Sequence, residues 1–162
     1  MTAIHDAATL DNVEALKNAL QGGADVNELN KHGFSALMLA AWYGREASAR
    51  VLIENGADVN LKRESGITAL IWAISRGHAG IVRLLIDNGV DLDKKDNRGR
   101  IPLEWAVENR HPEIVKMLRE APAARAVAAA AEKERARHAV AVDKQRRLKQ
   151  MTQEMKKRWK PS

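Results

Sequence analysis

Gly23-Ala24-Asp25-Val26-Asn27 recurs as Gly56-Ala57-Asp58-Val59-Asn60 and, diverged, as Gly89-Val90-Asp91-Leu92-Asp93, each step being 33 residues. Three further markers keep the same register: Gly33, Gly66 and Gly99; Ala36-Leu37, Ala69-Leu70 and Pro102-Leu103; and Ala40, Ala73 and Ala106. Four markers sharing one period of 33 residues define an internal repeat, and the repeat sets the fold class.

Each period reads as two short helices and a turn. In the third, Thr68 is placed to cap a helix whose apolar side carries Leu70, Ala73 and Ile74. Gly77 punctuates a turn, and Ile81, Val82, Leu84, Leu85 and Ile86 belong to a second, more buried helix. Gly89 stands where a left-handed residue ends a helix. Helices this short are marginal alone, so each unit depends on its neighbours. The small Ala40, Ala73 and Ala106 let helices of adjacent units approach closely.

The period, together with Gly77-His78-Ala79-Gly80-Ile81-Val82-Arg83-Leu84-Leu85-Ile86 and the Gly-Ala-Asp-Val-Asn link, resembles the ankyrin repeat over roughly residues 2–120. The resemblance implies an all-α ankyrin-repeat solenoid of four helix-turn-helix units, at about 1–31, 32–64, 65–97 and 98–122; beyond it, residues 123–162 are read as an extended basic helix. The family's Thr-Pro-Leu-His helix start reads Ser35-Ala36-Leu37-Met38, Thr68-Ala69-Leu70-Ile71 and Ile101-Pro102-Leu103-Glu104 in the later units, without its histidine. Ile101 has no side-chain acceptor, so the fourth unit is expected to be weaker at that point. The first unit, beginning near Thr2, looks like an N-terminal cap.

Charge divides the chain. Residues 1–122 carry 15 Lys/Arg against 17 Asp/Glu, and residues 123–162 carry 12 against 4. There is no cysteine, which excludes disulfides and thiolate chemistry. No signal-like leader and no membrane-length apolar run is present, so a soluble cytoplasmic monomer is expected.

No catalytic, cofactor or metal site is expected, and the chain is read as a non-enzyme. His5, His32, His78, His111 and His138 share no metal-ligand spacing, and His78 and His111 take the family's Gly-His turn position. The serines lie in no nucleophile elbow, and Gly22-Gly23 is not followed by the Lys-Ser/Thr of a phosphate loop. Asp87, Asp91, Asp93 and Asp96 lack the spacing and closing Glu of a calcium loop and read as a solvated link between units.

The expected function is therefore recognition of another protein. In the family, the turn tips and the first helix of each unit build the concave inner face, and the variable positions flank the turn glycine and close that inner helix. Mapped here, they give Lys31, His32, Phe34, Trp42 and Tyr43 in the second unit. The third contributes Ile67 and Arg76, beside Glu64, Ser65 and Ser75, and the fourth Arg98, Arg100 and Asn109, beside Asn97 and Glu108. Three of the chain's six aromatic residues fall in the second unit's set, and such residues serve as binding anchors or as packing. Trp72 and Trp105, one period apart, read as structural wedges between units.

Pro122 is expected to end the fourth unit's second helix, and Ala123–Ala131 to start a new one. Uninterrupted to Trp159, that helix would extend ~55 Å. Leu148, Met151, Met155 and Trp159 fall on one face amid Lys and Arg. The readings are a solvated tail, a helix docking on the repeats or a partner, and a segment gripping nucleic acid or an anionic membrane.

Overall fold

The computed structural model describes residues 3–158, which fall into two compact units divided between Glu120 and Ala121. Thr2 and Trp159 lie outside the described residues. The described residues form eight helices: α1 (Ala3–Thr9), α2 (Val13–Gln21), α3 (Ala36–Tyr43), α4 (Glu46–Glu54), α5 (Ala69–Arg76), α6 (Ala79–Asp87), α7 (Pro102–Glu108) and α8 (Pro112–Arg158). The expected all-α array of helix pairs is present. Helices α1, α3, α5 and α7 form one row, each packed on the next, and α2, α4 and α6 form a second row.

Local chemistry fixes the helix ends. Ser35 and Thr68 each accept an N-terminal backbone N–H, from Met38 and Ile71. Ile101 lacks this ability, but its own N–H donates to the Glu104 carboxylate at 2.8 Å and Pro102 occupies the first turn. The weak start expected there is therefore partly made good from within the helix. The carbonyls of Ala40, Ala73 and Ala106 accept the N–H of Arg45, His78 and His111, closing each inner helix. All three alanines are fully buried, so this position serves both close packing and the cap.

The Gly-Ala-Asp-Val-Asn link is explained by bonds between units. Asp25 and Asp58 accept the backbone N–H two residues on. That holds Asn27 and Asn60, whose side-chain oxygens accept the N–H of Asp58 and Asp91 in the following unit at 2.8 and 2.7 Å. A second seam runs through the inner turns. His78 Nε2 lies 3.1 Å from the Trp42 carbonyl, and Arg45 Nε donates to the equivalent Thr9 carbonyl at 2.9 Å.

The histidine missing from later helix starts is present in the first. His5 stands one period before Met38, is fully buried, and has Nε2 3.0 Å from both the Glu28 and Phe34 carbonyls. Since both partners are acceptors, Nε2 carries the hydrogen. The first unit is thus bonded directly to the link and turn of the second.

One other expectation is corrected. Helical backbone continues through Pro122 to Arg158. The interruption costs about 3 kcal/mol in a helix interior, and the alanines on both sides have the highest helix propensity. Ile114, Met117 and Leu118 follow a helical stripe that is buried, and Val115 is half-exposed.

Gly44 and Gly77 have left-handed backbones, with φ of 70° and 73°. A Cβ on Gly77 would meet His111 Cε1 at 2.8 Å, whereas one on left-handed Gly56 would meet nothing within 4 Å. Gly56→Ala should therefore destabilise by roughly 1–2 kcal/mol through backbone strain alone. Gly77→Ala should cost about 1–3 kcal/mol more, because the neighbouring unit must move. Urea denaturation of both variants checks this, and equal losses would refute the contact.

Candidate recognition surface

Each unit from the second to the fourth presents a finger-like turn ahead of its inner helix. The fingers close by matching backbone bonds: Asn30 N–H to Phe34 O, Arg63 N–H to Ile67 O and Asp96 N–H to Arg100 O. Asn30 and Asp96 also use their side-chain oxygens to hold two N–H groups in their own turns. Arg63, in the same register, has no acceptor to offer. Its side chain instead reaches the preceding finger, donating from Nη2 to the His32 carbonyl at 2.8 Å and lying 4.0 Å from the Phe34 ring centroid.

Phe34 is the edge of an aromatic cluster. Its ring is 6.1 Å from Trp42, nearly perpendicular, and 5.8 Å from Trp72, while Trp42 and Trp72 are 4.1 Å apart. Arg76 lies 4.5 Å over Trp42. All three rings are only half-buried. Within the cluster, Arg63 Nε and Trp72 Nε1 are buried donors without an acceptor. A buried donor that stays unsatisfied costs about 1–3 kcal/mol.

The fourth unit repeats the arginine-on-aromatic arrangement with a carboxylate added. Arg100 sits 3.8 Å over Trp105 and pairs with Asp96 at 3.0 Å and Glu108 at 2.8 Å. Trp105 Nε1 donates to the same carboxylate oxygen as Arg100, Asp96 Oδ2, at 3.1 Å. Asp96 is buried, which corrects its reading as part of a solvated link. Burial pushes its carboxyl upward. The backbone N–H groups of Arg100 and Arg98, the Arg100 guanidinium and the Trp105 indole outweigh this and hold it below the ordinary value of 3.8.

Two recesses separate the fingers. One, of about 510 Å³, is lined by Leu29, Lys31, His32, Gly33, Arg63, Glu64 and Ser65. The next, of about 390 Å³, is lined by Ser65, Ile67, Trp72, Asp96, Asn97, Arg98, Arg100 and Trp105. Lys31 and His32 thus share the first recess, and Ile67, Arg98 and Arg100 the second. Phe34, Trp42 and Arg76 are joined by ring contacts. Tyr43, 48% exposed, and Asn109, which donates to the Trp105 carbonyl, line neither recess. Sequence reading passed over Arg63. The signal was its place in the Asn30–Arg63–Asp96 register, where a cation interrupts two acceptors. It also set Trp72 and Trp105 aside as wedges, yet both border the second recess.

No described group of three or more His, Asp or Glu is arranged to hold a metal, and no described helix is long and apolar enough to cross a membrane. Along α8 beyond Glu120, Val140, Val142, Leu148, Met151 and Met155 are at least half-exposed.

A stack of short helix pairs with turn-borne side chains along one row defines a repeat-type binding scaffold. A family model described as ankyrin repeats, three copies, matches residues 1–63 and 56–128. The chain belongs to the ankyrin-repeat family, whose members are typically protein–protein interaction modules and usually non-catalytic. No curated protein matches it.

The lowered Asp96 pKa gives a pH prediction. The ionised carboxylate contributes stability in full above pH 3.8, and that contribution is lost as the pH falls through the lower folded-state value. Thermal melts from pH 7 to pH 2 should show this acid-sensitive part shrink in Asp96→Asn, which should also melt lower at pH 7. An unchanged acid profile would remove Asp96 from that role.

Proposed function

We propose that the chain is a non-enzymatic, cytoplasmic and monomeric protein-recognition module. Residues 1–122 form its repeat domain and 123–162 its basic tail. The partner is a protein bound on the inner face, across the second to fourth units. The observation that carries this reading is the half-exposed cluster of Phe34, Trp42 and Trp72, flanked by Arg63 and Arg76 and containing two unsatisfied buried donors. Aromatic and arginine side chains on a rigid element are the usual anchors of protein interfaces. Lys31, His32, Tyr43, Ile67, Arg98, Arg100 and Asn109 supply the surrounding contacts. No metal or cofactor is required.

A second reading rests on the tail. Leu148, Met151 and Met155 are exposed along one helical face beside Lys144, Arg146, Arg147 and Lys149. This composition suits an anionic membrane or nucleic acid, with the repeats as scaffold.

Affinity retention from cell extract with three full-length baits separates the readings: the natural chain, a Tyr43→Ala/Arg76→Ala variant, and a Lys144→Gln/Arg146→Gln/Lys149→Gln variant. The inner-face reading expects a protein retained by the first and third baits and reduced about tenfold or more on the second, roughly one hot-spot contact. Retained lipid or nucleic acid, lost on the third bait, would assign the function to the tail.

A further inference from the structure

We propose that the partner segment on the inner face is an extended acidic peptide carrying at least one apolar side chain. This rests on the reading of that face as the recognition surface. Its basis is an imbalance of paired charges. Of the face's carboxylates, Asp96 and Glu108 are both engaged by Arg100, and Glu64, in the first recess with Arg63, has no cation partner among the described residues. Against that one free carboxylate stand Arg63, Arg76 and Arg98, none of which has a carboxylate partner among the described residues. The surplus is local, because residues 1–122 as a whole carry more acid than base. An acidic segment is attracted to this face and repelled by the Asp-rich links, which orients it.

The arginines are also preorganised. Arg63 and Arg76 lie over the Phe34 and Trp42 rings, which limits their freedom; Arg63 already donates to the His32 carbonyl, whereas exposed Arg76 keeps a guanidinium edge to form paired hydrogen bonds with a carboxylate. Tyr43 and Ile67 give apolar contact beside them. Helices α3, α5 and α7 are successive neighbours. At about 8–10 Å per packed helix, three units present these groups over about 20 Å. An extended chain advances about 3.3 Å per residue, so roughly six residues cover the site.

Single-stranded nucleic acid would also seek cations and rings, but it needs bare ring faces for its bases. Phe34 and Trp42 each have a guanidinium on the ring and a further contact with Trp72. The free edges suit carboxylates better than bases.

The test is selection of displayed random dodecapeptides on the full-length chain, with binding of enriched peptides then measured on three full-length variants. These are Arg76→Gln/Arg98→Gln, Tyr43→Ala, and the tail variant Lys144→Gln/Arg146→Gln/Lys149→Gln. Arg76 and Arg98 are exposed, so their substitution should leave the chain folded, with the melting temperature lowered only by loss of the Arg76–Trp42 contact. The expected result is enrichment in Asp and Glu around an apolar residue, with affinity about tenfold or more weaker on the double arginine variant and unaltered on the tail variant. Peptides without acidic bias that are weakened by Tyr43→Ala would overturn the acidic partner while leaving the inner face as the site. Acidic peptides weakened only by the tail variant would overturn both. Absence of enrichment, or displacement of the peptides by oligothymidylate bound more tightly at the same arginines, would also overturn the proposal.

Discussion

Inner helices of seven or eight residues do not persist alone, so the structure depends on how closely one helix pair seats on the next. The seat is set at the turn glycines. At Gly44 and Gly77 the following unit's histidine ring occupies the space a side chain would need, and between the second and third units His78 is held near the Trp42 carbonyl. The first turn solves the same problem differently. Asp11 is left-handed with φ of 56°, and its neighbour in the next unit is Arg45, which bonds the equivalent carbonyl. Asp11 then accepts both the backbone N–H and the hydroxyl of Ser48. Arg110 holds the corresponding position in the fourth unit, also left-handed at 58°. A further unit seated like the inner ones would drive its histidine into that side chain.

Stacking in this register determines the recognition surface. The fingers inherit the 33-residue spacing, so a change at one position of one finger is displayed against its neighbours. Arg63 illustrates this: lacking the acceptor of Asn30 and Asp96, it leaves its own turn and covers Phe34 of the preceding finger. The fourth finger keeps the acceptor, and Asp96 draws Arg100 and Trp105 onto itself. One face therefore carries a rigid ion-paired end and an aromatic end whose arginines lack carboxylate partners. Rigid elements hold binding groups more accurately than loops, and here the inner helices support the fingers.

Much of the array was legible in residues 1–120 because a repeat exposes its own register. The caps at Ser35 and Thr68, the buried alanines and the Asp-Asn links all follow from local chemistry repeated at fixed spacing. Local rules failed where a long-range partner or a long helix intervened. Pro122 does not break α8, and the Asp96 carboxylate is not solvated. Met38, Ile71 and Glu104 drew attention to a missing histidine, although one more backward step of the same period reaches His5.

The sequence by itself determined the helix-pair unit, its period, its family and the charge division between body and tail. Periodicity and capping are local properties, and local properties survive in a linear string. Tertiary structure alone decided which side chains share a surface. Phe34, Trp42, Arg63, Trp72 and Arg76 span 43 positions and contact one another only when the second and third units stack. Whether an aromatic ring packs, binds or does both depends on what lies across that seam, and the chain order does not contain the distance between its two sides.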